Sequence, residues 1–222
     1  MAKAIVIGGG IIGLSSAFYL KRSGWEVTVL DKSDFNDNCS YGNCGYICPS
    51  HFTPLATPGI VKQGLKWMWN SKSPFYVQPR LDRSLIDWGL KFMRSATPEQ
   101  VARAADPLKD IAMISQAEYS AWNQLTGFDF AYVHKGLLEI FQTEAALEHA
   151  KHLVEKAHGL GLTDTKLLSA DEVKAMEPHT RMDVLGAVFF QCDAHCYPNK
   201  LMKNLIGYLK ENGVELVTNQ EV

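Results

Sequence analysis

The residues best placed to do chemistry come in the first fifty positions. Gly8, Gly10 and Gly13 lie in the run Gly8-Gly9-Gly10-Ile11-Ile12-Gly13, a G-x-G-x-x-G spacing, and Asp31 follows 18 positions after Gly13. Each has a physical use. Gly8 permits a tight turn, Gly10 lets the backbone approach a pyrophosphate, and Gly13 lets a helix lie close on a sheet. The amides of Ile11 and Ile12, in the first turn of that helix, face the phosphates with the positive end of the helix dipole behind them. Asp31, with Lys32 beside it, can accept hydrogen bonds from a ribose 2′-hydroxyl, and its charge disfavours a 2′-phosphate. The pattern points to dinucleotide binding, and it leaves open whether the nucleotide is NAD or FAD.

A second group follows from Asn38 to His51. It is rich in Gly, Asn and Ser and reads as an irregular loop. A nicotinamide domain would usually run promptly into another helix; a long polar loop near the cofactor end of the sheet suits a flavin better. Asn43 in this loop can also serve simply to form the turn. The five cysteines (Cys39, Cys44, Cys48, Cys192 and Cys196) are odd in number and lack the short C-x-x-C spacing of common zinc sites. They read as thiols rather than as a disulfide framework, and no metal site is expected.

The elements that must position these residues can be read from pattern. Ala4–Ile7 reads as a fully buried strand, Ile11–Ser23 as a helix stopped by Gly24, and Trp25–Leu30 as a second strand ended by Asp31. Helices are expected over 60–70 and 84–94, with Trp67, Trp69, Trp88 and Phe92 as core. Thr97-Pro98 starts another helix, and Asp106-Pro107 restarts one that runs to about Leu125. Phe128–His134 and Gly136–Gln142 read as strands joined tightly near Lys135-Gly136. Thr143 caps a helix that Gly159 stops, Ser169-Ala170-Asp171-Glu172 is a capping box, and Leu185–Gln191 is a strand. Tyr197-Pro198 opens a helix that ends at Asn212-Gly213, and Val214–Thr218 is the next strand of the dinucleotide fold.

Composition excludes other classes. At 46% hydrophobic and 21% charged, the chain has material for a core and does not read as disordered. Lys and Arg total 22 against 24 Asp and Glu, so no basic excess exists to hold nucleic acid. The apolar run from Ala4 to Leu20 is broken by four glycines, and no other stretch reaches the ~20 apolar residues of a membrane span.

From Ser40 to Gly59 the chain reads Ser-Tyr-Gly-Asn-Cys-Gly-Tyr-Ile-Cys-Pro-Ser-His-Phe-Thr-Pro-Leu-Ala-Thr-Pro-Gly. This segment, the glycine fingerprint, Lys66-Trp67-Met68, the Pro74…Pro79…Asp82 spacing, Gly136-Leu137-Leu138 and Glu177-Pro178 together resemble the FAD-dependent D-amino-acid oxidase superfamily. The resemblance is closest to its bacterial D-amino-acid dehydrogenase (small-subunit) group and spans the chain. Cys39, Cys44 and Cys48 depart from Thr, Ala and Ser that are common there, Tyr46 from an acid, His51 from Tyr and Gln78 from Arg.

The resemblance implies an α/β fold: a Rossmann-like FAD-binding domain, residues 1–51 and 193–222, interrupted by an α+β substrate domain over 52–192. It implies FAD held by Gly8, Gly10, Gly13 and Asp31, with Ser40, Asn43 and Gly45 beside the ribityl chain or isoalloxazine. The strand at Val214–Thr218 would return beside the first strand, and Val222 would offer its backbone to the adenine. The implied reaction oxidises the C–N bond of a D-amino acid, or of proline, hydroxyproline, glycine or sarcosine. The α-hydrogen leaves as hydride to flavin N5, and water hydrolyses the imine. His51 and Tyr46 are the favoured groups for the substrate carboxylate, ahead of Arg80, Arg83 and His134; His195 reads as structural. Electrons would pass to a quinone or carrier, or to oxygen, and the location implied is cytoplasmic or peripheral on the inner face of the membrane. The family has a second half of similar size, so this chain alone is expected to be an incomplete, inactive enzyme. A nicotinamide-dependent dehydrogenase and a non-binding flavin-fold fragment remain the other readings.

Overall fold

A computed structural model describes residues 1–60, 64 and 82–222. The chain divides into two compact units: unit 1 comprises Met1–Ile47, Gln116–Lys135 and Asp193–Val222, and unit 2 comprises Cys48–Ser115 and Gly136–Cys192. The sequence reading kept 116–135 within the insertion; the structure groups these residues with the N-terminal unit.

Unit 1 is built on three parallel strands, β1 (Lys3–Ile7), β2 (Glu26–Leu30) and β8 (Glu215–Val217), in the order β1-β2-β8. Helix α1 (Ile11–Arg22) connects β1 to β2, and α6 (Pro198–Glu211) leads into β8. Leu14, Ala17 and Phe18 of α1 and Leu201, Met202, Leu205 and Leu209 of α6 bury against Val27 and Val29 of the sheet. Phe18 is the hub: its ring lies 5.4 Å from Trp122 and 4.7 Å from Tyr208.

Two strand expectations fail here. β8 pairs with β2, Thr28 opposite Glu215 and Leu30 opposite Val217, and not with β1. The reason is handedness. Right-handed crossovers that keep moving in one direction leave their helices on one face, and α6 does pack on α1. A return beside β1 would have placed α6 on the other face. Nor is β1 fully buried: Ile5 and Ile7 are 69% and 65% exposed. The helices cover one face of the sheet, so alternate residues of β1 point to open space.

Helix α3 (Pro98–Trp122) runs unbroken through Pro107 and ends in unit 1. The proposed restart at Asp106-Pro107 does not occur. Pro107 sits inside this helix, where a proline ordinarily costs ~3 kcal/mol, and Ala105 and Trp122 are its buried apolar residues on either side. Beyond it, Phe128–His134 is not a strand. Ala131 has a φ of 51°, which breaks the extended path, and within this stretch only Val133 bridges, to His195. The apolar alternation was a burial signal: Phe128 and Phe130 fill the core of unit 1.

Unit 2 holds an antiparallel sheet, β4 (Leu137–Phe141), β5 (Lys166–Ser169) and β6 (Gly186–Phe190), in the order β4-β6-β5. Helix α4 (Glu144–Gly159) packs Ala150 and Ala157 onto Phe141, Val188 and Phe190. Thr143 caps it by accepting the Ala146 amide, and Gly161, at φ 86°, makes the left-handed turn that follows it. A full capping box between Ser169 and Glu172 starts α5 (Ala170–Met176). Helix α2 (Arg83–Ser95) is also in this unit, and its Trp88, expected in the core, is 48% exposed. Apart from Ile60 and Gly64, the helix expected over 60–70 lies outside the described residues, as do Gln78 and Arg80.

Candidate cofactor-binding site

The glycine turn sits where β1 hands over to α1. Gly8 adopts φ 102° and donates its amide to the Leu30 carbonyl at 2.8 Å, which ties the turn to the end of β2. A Cβ on Gly13 would fall 1.8 Å from the Gly8 carbonyl oxygen, so the helix can approach this closely only without a side chain. Gly10 is the N-cap of α1 with no side-chain cap, and no acidic residue occupies the first turn. The positive end of the helix is therefore left for an outside anion.

Asp31 is 9% exposed and holds the turn from below. Its Oδ2 accepts the Gly9 amide at 2.5 Å, and its Oδ1 accepts both the amide and the hydroxyl of Ser33, each at 2.7 Å. Burial alone would raise its pKa. The Ser33 hydroxyl, the Gly9 and Ser33 amides and nearby Lys32 outweigh it and hold the carboxylate below its usual range. With up to four acceptor positions on two oxygens, Asp31 retains capacity for a further donor. Lys32 itself is exposed.

The polar loop closes over the same turn. Ser40 Oγ accepts the Ile11 amide at 2.9 Å, and a hydroxyl that accepts keeps its own hydrogen to donate. Asn38 accepts the Ser40 amide and reaches the Gly9 carbonyl at 3.4 Å. Asn43 accepts the Gly45 amide at 2.8 Å and donates to the Ser40 carbonyl at 3.1 Å, so it staples the loop. The left-handed residues are Gly42 and Gly45, not Asn43. Gly45 is pressed on the entry to α6, where an added Cβ would meet the Cys196 carbonyl at 2.1 Å. Tyr41 is the odd member: its buried hydroxyl has no partner among the described residues, a donor that water or a bound group would satisfy.

A cavity of about 70 Å³ lies against this frame, lined by Ile11, Ser40, Asn43, Gly45, Tyr46 and Tyr119 among others. That is room for about two waters. It fits a phosphate end better than an isoalloxazine, which needs a pocket several times larger.

The remaining candidates are dispersed. Tyr46 is 67% exposed on β3 (Tyr46–Ile47), opposite His195 of β7 (Ala194–His195). His195 also exchanges backbone hydrogen bonds with Val133, which makes it a structural residue of unit 1. His134 Nδ1 is 3.2 Å from the Gln116 amide nitrogen. His51 and Arg83 are exposed and belong to unit 2, and Ser50 Oγ stands 3.4 Å from His51 Nδ1. Ile12 and Val222 are 80% and 77% exposed. Sequence reasoning missed Gly9, Ser33 and Asn38. Gly9 could have been suspected from the triple glycine: a Cβ there would lie 2.1 Å from the Phe35 ring. No spacing rule flags Asn38.

A strand, a glycine turn whose N-cap residue has no side chain, a helix and a second strand ending in a buried acid make up an α/β unit of the dinucleotide-binding kind. The chain belongs to the FAD dependent oxidoreductase family, whose model matches residues 3–222. It is 33% identical over 220 residues to a D-amino acid dehydrogenase of Helicobacter pylori, covering 99% of this chain and 52% of that protein. It is 30% identical over 218 residues to a D-amino acid dehydrogenase of Cereibacter sphaeroides, covering 96% and 49%. Among solved structures it resembles glycine oxidase from Geobacillus kaustophilus, with a TM-score of 0.68, 18% identity and coverage of 100% and 48%. A glycine oxidase from Bacillus cereus gives 0.66, 22%, 99% and 48%. The chain thus spans about half the length of the curated relatives it matches. No helix among the described residues is long and apolar enough to cross a membrane.

Proposed function

We propose that this chain carries the nucleotide-binding part of an FAD-dependent enzyme that oxidises the C–N bond of a D-amino acid to the imine, hydrolysed to oxo acid and ammonia. The observation that carries the reading is the similarity to D-amino acid dehydrogenases along 99% of the chain at 33% identity. Bound FAD supplies the two-electron acceptor. The chain's own residues bind and orient. The amides of Ile12 and Gly13 and the Ser40 hydroxyl face the pyrophosphate, Asp31 receives a ribose hydroxyl, and the Asn43-stapled loop flanks the remainder of the cofactor. Tyr46, a phenol that can donate to a carboxylate, is one candidate for holding the substrate, and His51, an imidazole, is a separate candidate. The family match favours FAD over a nicotinamide cofactor. Glycine, sarcosine and proline are the alternative substrates, and quinone, a carrier or oxygen the final acceptor.

The test is anaerobic titration of the FAD-loaded protein with a panel of amino acids. Bleaching of the flavin band near about 450 nm by D-amino acids supports the reading. Bleaching by glycine, sarcosine or proline alone moves the substrate; no bleaching by any of them overturns it. The 222-residue chain by itself is proposed to take up the nucleotide without turnover, which measurable turnover by that chain would refute.

A further inference from the structure

Tyr46 of β3 stands directly opposite His195 of β7 in an antiparallel pair. Side chains alternate between the two faces of such a ribbon. Ile47, Ala194 and Cys196 turn inward and belong to the core of unit 1, so Tyr46 and His195 share the outer face. The register brings them close. His195 donates its amide to the Val133 carbonyl at 2.9 Å and accepts the Val133 amide at 2.8 Å, which turns both of its main-chain groups away from Tyr46. Tyr46 and His195 are therefore a non-hydrogen-bonded pair, the kind whose Cα atoms stand only about 4.5 Å apart and whose side chains are nearest.

The two rings do not spend this nearness on each other. Tyr46 is 67% exposed, and His195 is exposed as well. Among the described residues neither the phenol nor the imidazole has a hydrogen-bond, ion-pair or ring partner. A cross-strand aromatic pair that served only to stabilise the ribbon would pack ring on ring. What stands there instead is a phenol O–H and an imidazole N–H on neighbouring strands, on one face, both unspent. They belong to the same unit as the glycine turn, and Tyr46 and Cys196 line the same cavity as Ile11, Ser40 and Asn43. Two donors set side by side suit a group with two acceptor oxygens and a negative charge, and suit an amide, with one oxygen, poorly.

We propose that Tyr46 and His195 form one two-pronged holder for the substrate carboxylate, the phenol on one oxygen and the imidazole on the other. This rests on the reading of the substrate as an amino acid, and it gives the His195 ring a role besides the main-chain one. The test follows the ring signals of Tyr46 and His195 by NMR, assigned from the variants, with FAD present and oxygen excluded. D-alanine, acetate and D-alaninamide are titrated in turn. D-alanine and acetate should move both signals along one saturation curve, and the amide should move neither. Tyr46→Phe and His195→Leu should each weaken D-alanine binding about tenfold, and His195→Gln, which keeps a donor, should recover most of that loss. The affinity for FAD should be the same in all variants, and matching circular dichroism melts confirm that they fold. Signals that stay still as carboxylate is added, equal shifts with D-alaninamide, or variants that lose FAD while keeping D-alanine would each overturn the proposal. Carboxylate shifts in a protein whose flavin no amino acid bleaches would support the holder and remove the oxidation reading instead.

Discussion

Asp31 shows what a single residue's spacing can and cannot say. Its position after β2 was legible because the β-branched run of that strand ends at Leu30. Its grip on Gly9 and Ser33 was not, since those bonds depend on where the loop turns back. This grip has a pH signature. The folded pKa lies below the ordinary 3.8, so the stabilisation is complete above that value and fades as pH falls through the folded one. Asp31→Asn places an NH₂ among the donors of Gly9 and Ser33. It should cost about 1–3 kcal/mol at neutral pH, and the gap to the parent in denaturant melts should close below about pH 4. The thiols differ as sharply. Burial pushes Cys196 up to about 11, keeping it protonated, whereas Cys39 and Cys44 are exposed. Mapping of alkylated peptides should find Cys39 and Cys44 labelled in the native protein and Cys196 only after unfolding.

At the level of elements, termini were legible and pairing was not. Thr143, Ser169 and Pro198 each start a helix as read, because a cap or a proline acts on its own turn. The stretch 128–134 alternates like a strand, yet its side chains serve a core while its backbone pairs only in an isolated bridge at Val133, and alternation cannot separate the two. The glycine turn makes a discriminating test. A Cβ on Gly13 would meet backbone at 1.8 Å, while one on Gly10 would meet the Ser40 hydroxyl at 3.2 Å. Gly13→Ala should therefore cost at least about 1–3 kcal/mol, and Gly10→Ala should leave the melt within about 1 kcal/mol. If the proposed pyrophosphate site is right, Gly10→Ala should still weaken FAD uptake, measured by fluorescence quenching.

For the whole molecule, the interruption of one fold by another was legible from the order of motifs. The neighbour order of the strands was not, because handedness acts through where α6 packs and not through any residue of β8. Each unit has its own apolar core. Phe18, fully buried among four aromatic rings, is the largest single stake in unit 1. Phe18→Ala should cost about 3–5 kcal/mol in equilibrium unfolding followed by circular dichroism. The pairing of β2 with β8 has a further consequence, in the time of synthesis. Thr28 and Glu215 are 187 positions apart. At ~5–20 residues per second, β2 leaves the ribosome roughly 10–40 s before its partner exists. Through that interval β1, α1 and β2 form a βαβ unit without α6 packed on it, while all of unit 2 is made. The open edge of β2 thus waits through the synthesis of the whole of unit 2 before β8 can cover it.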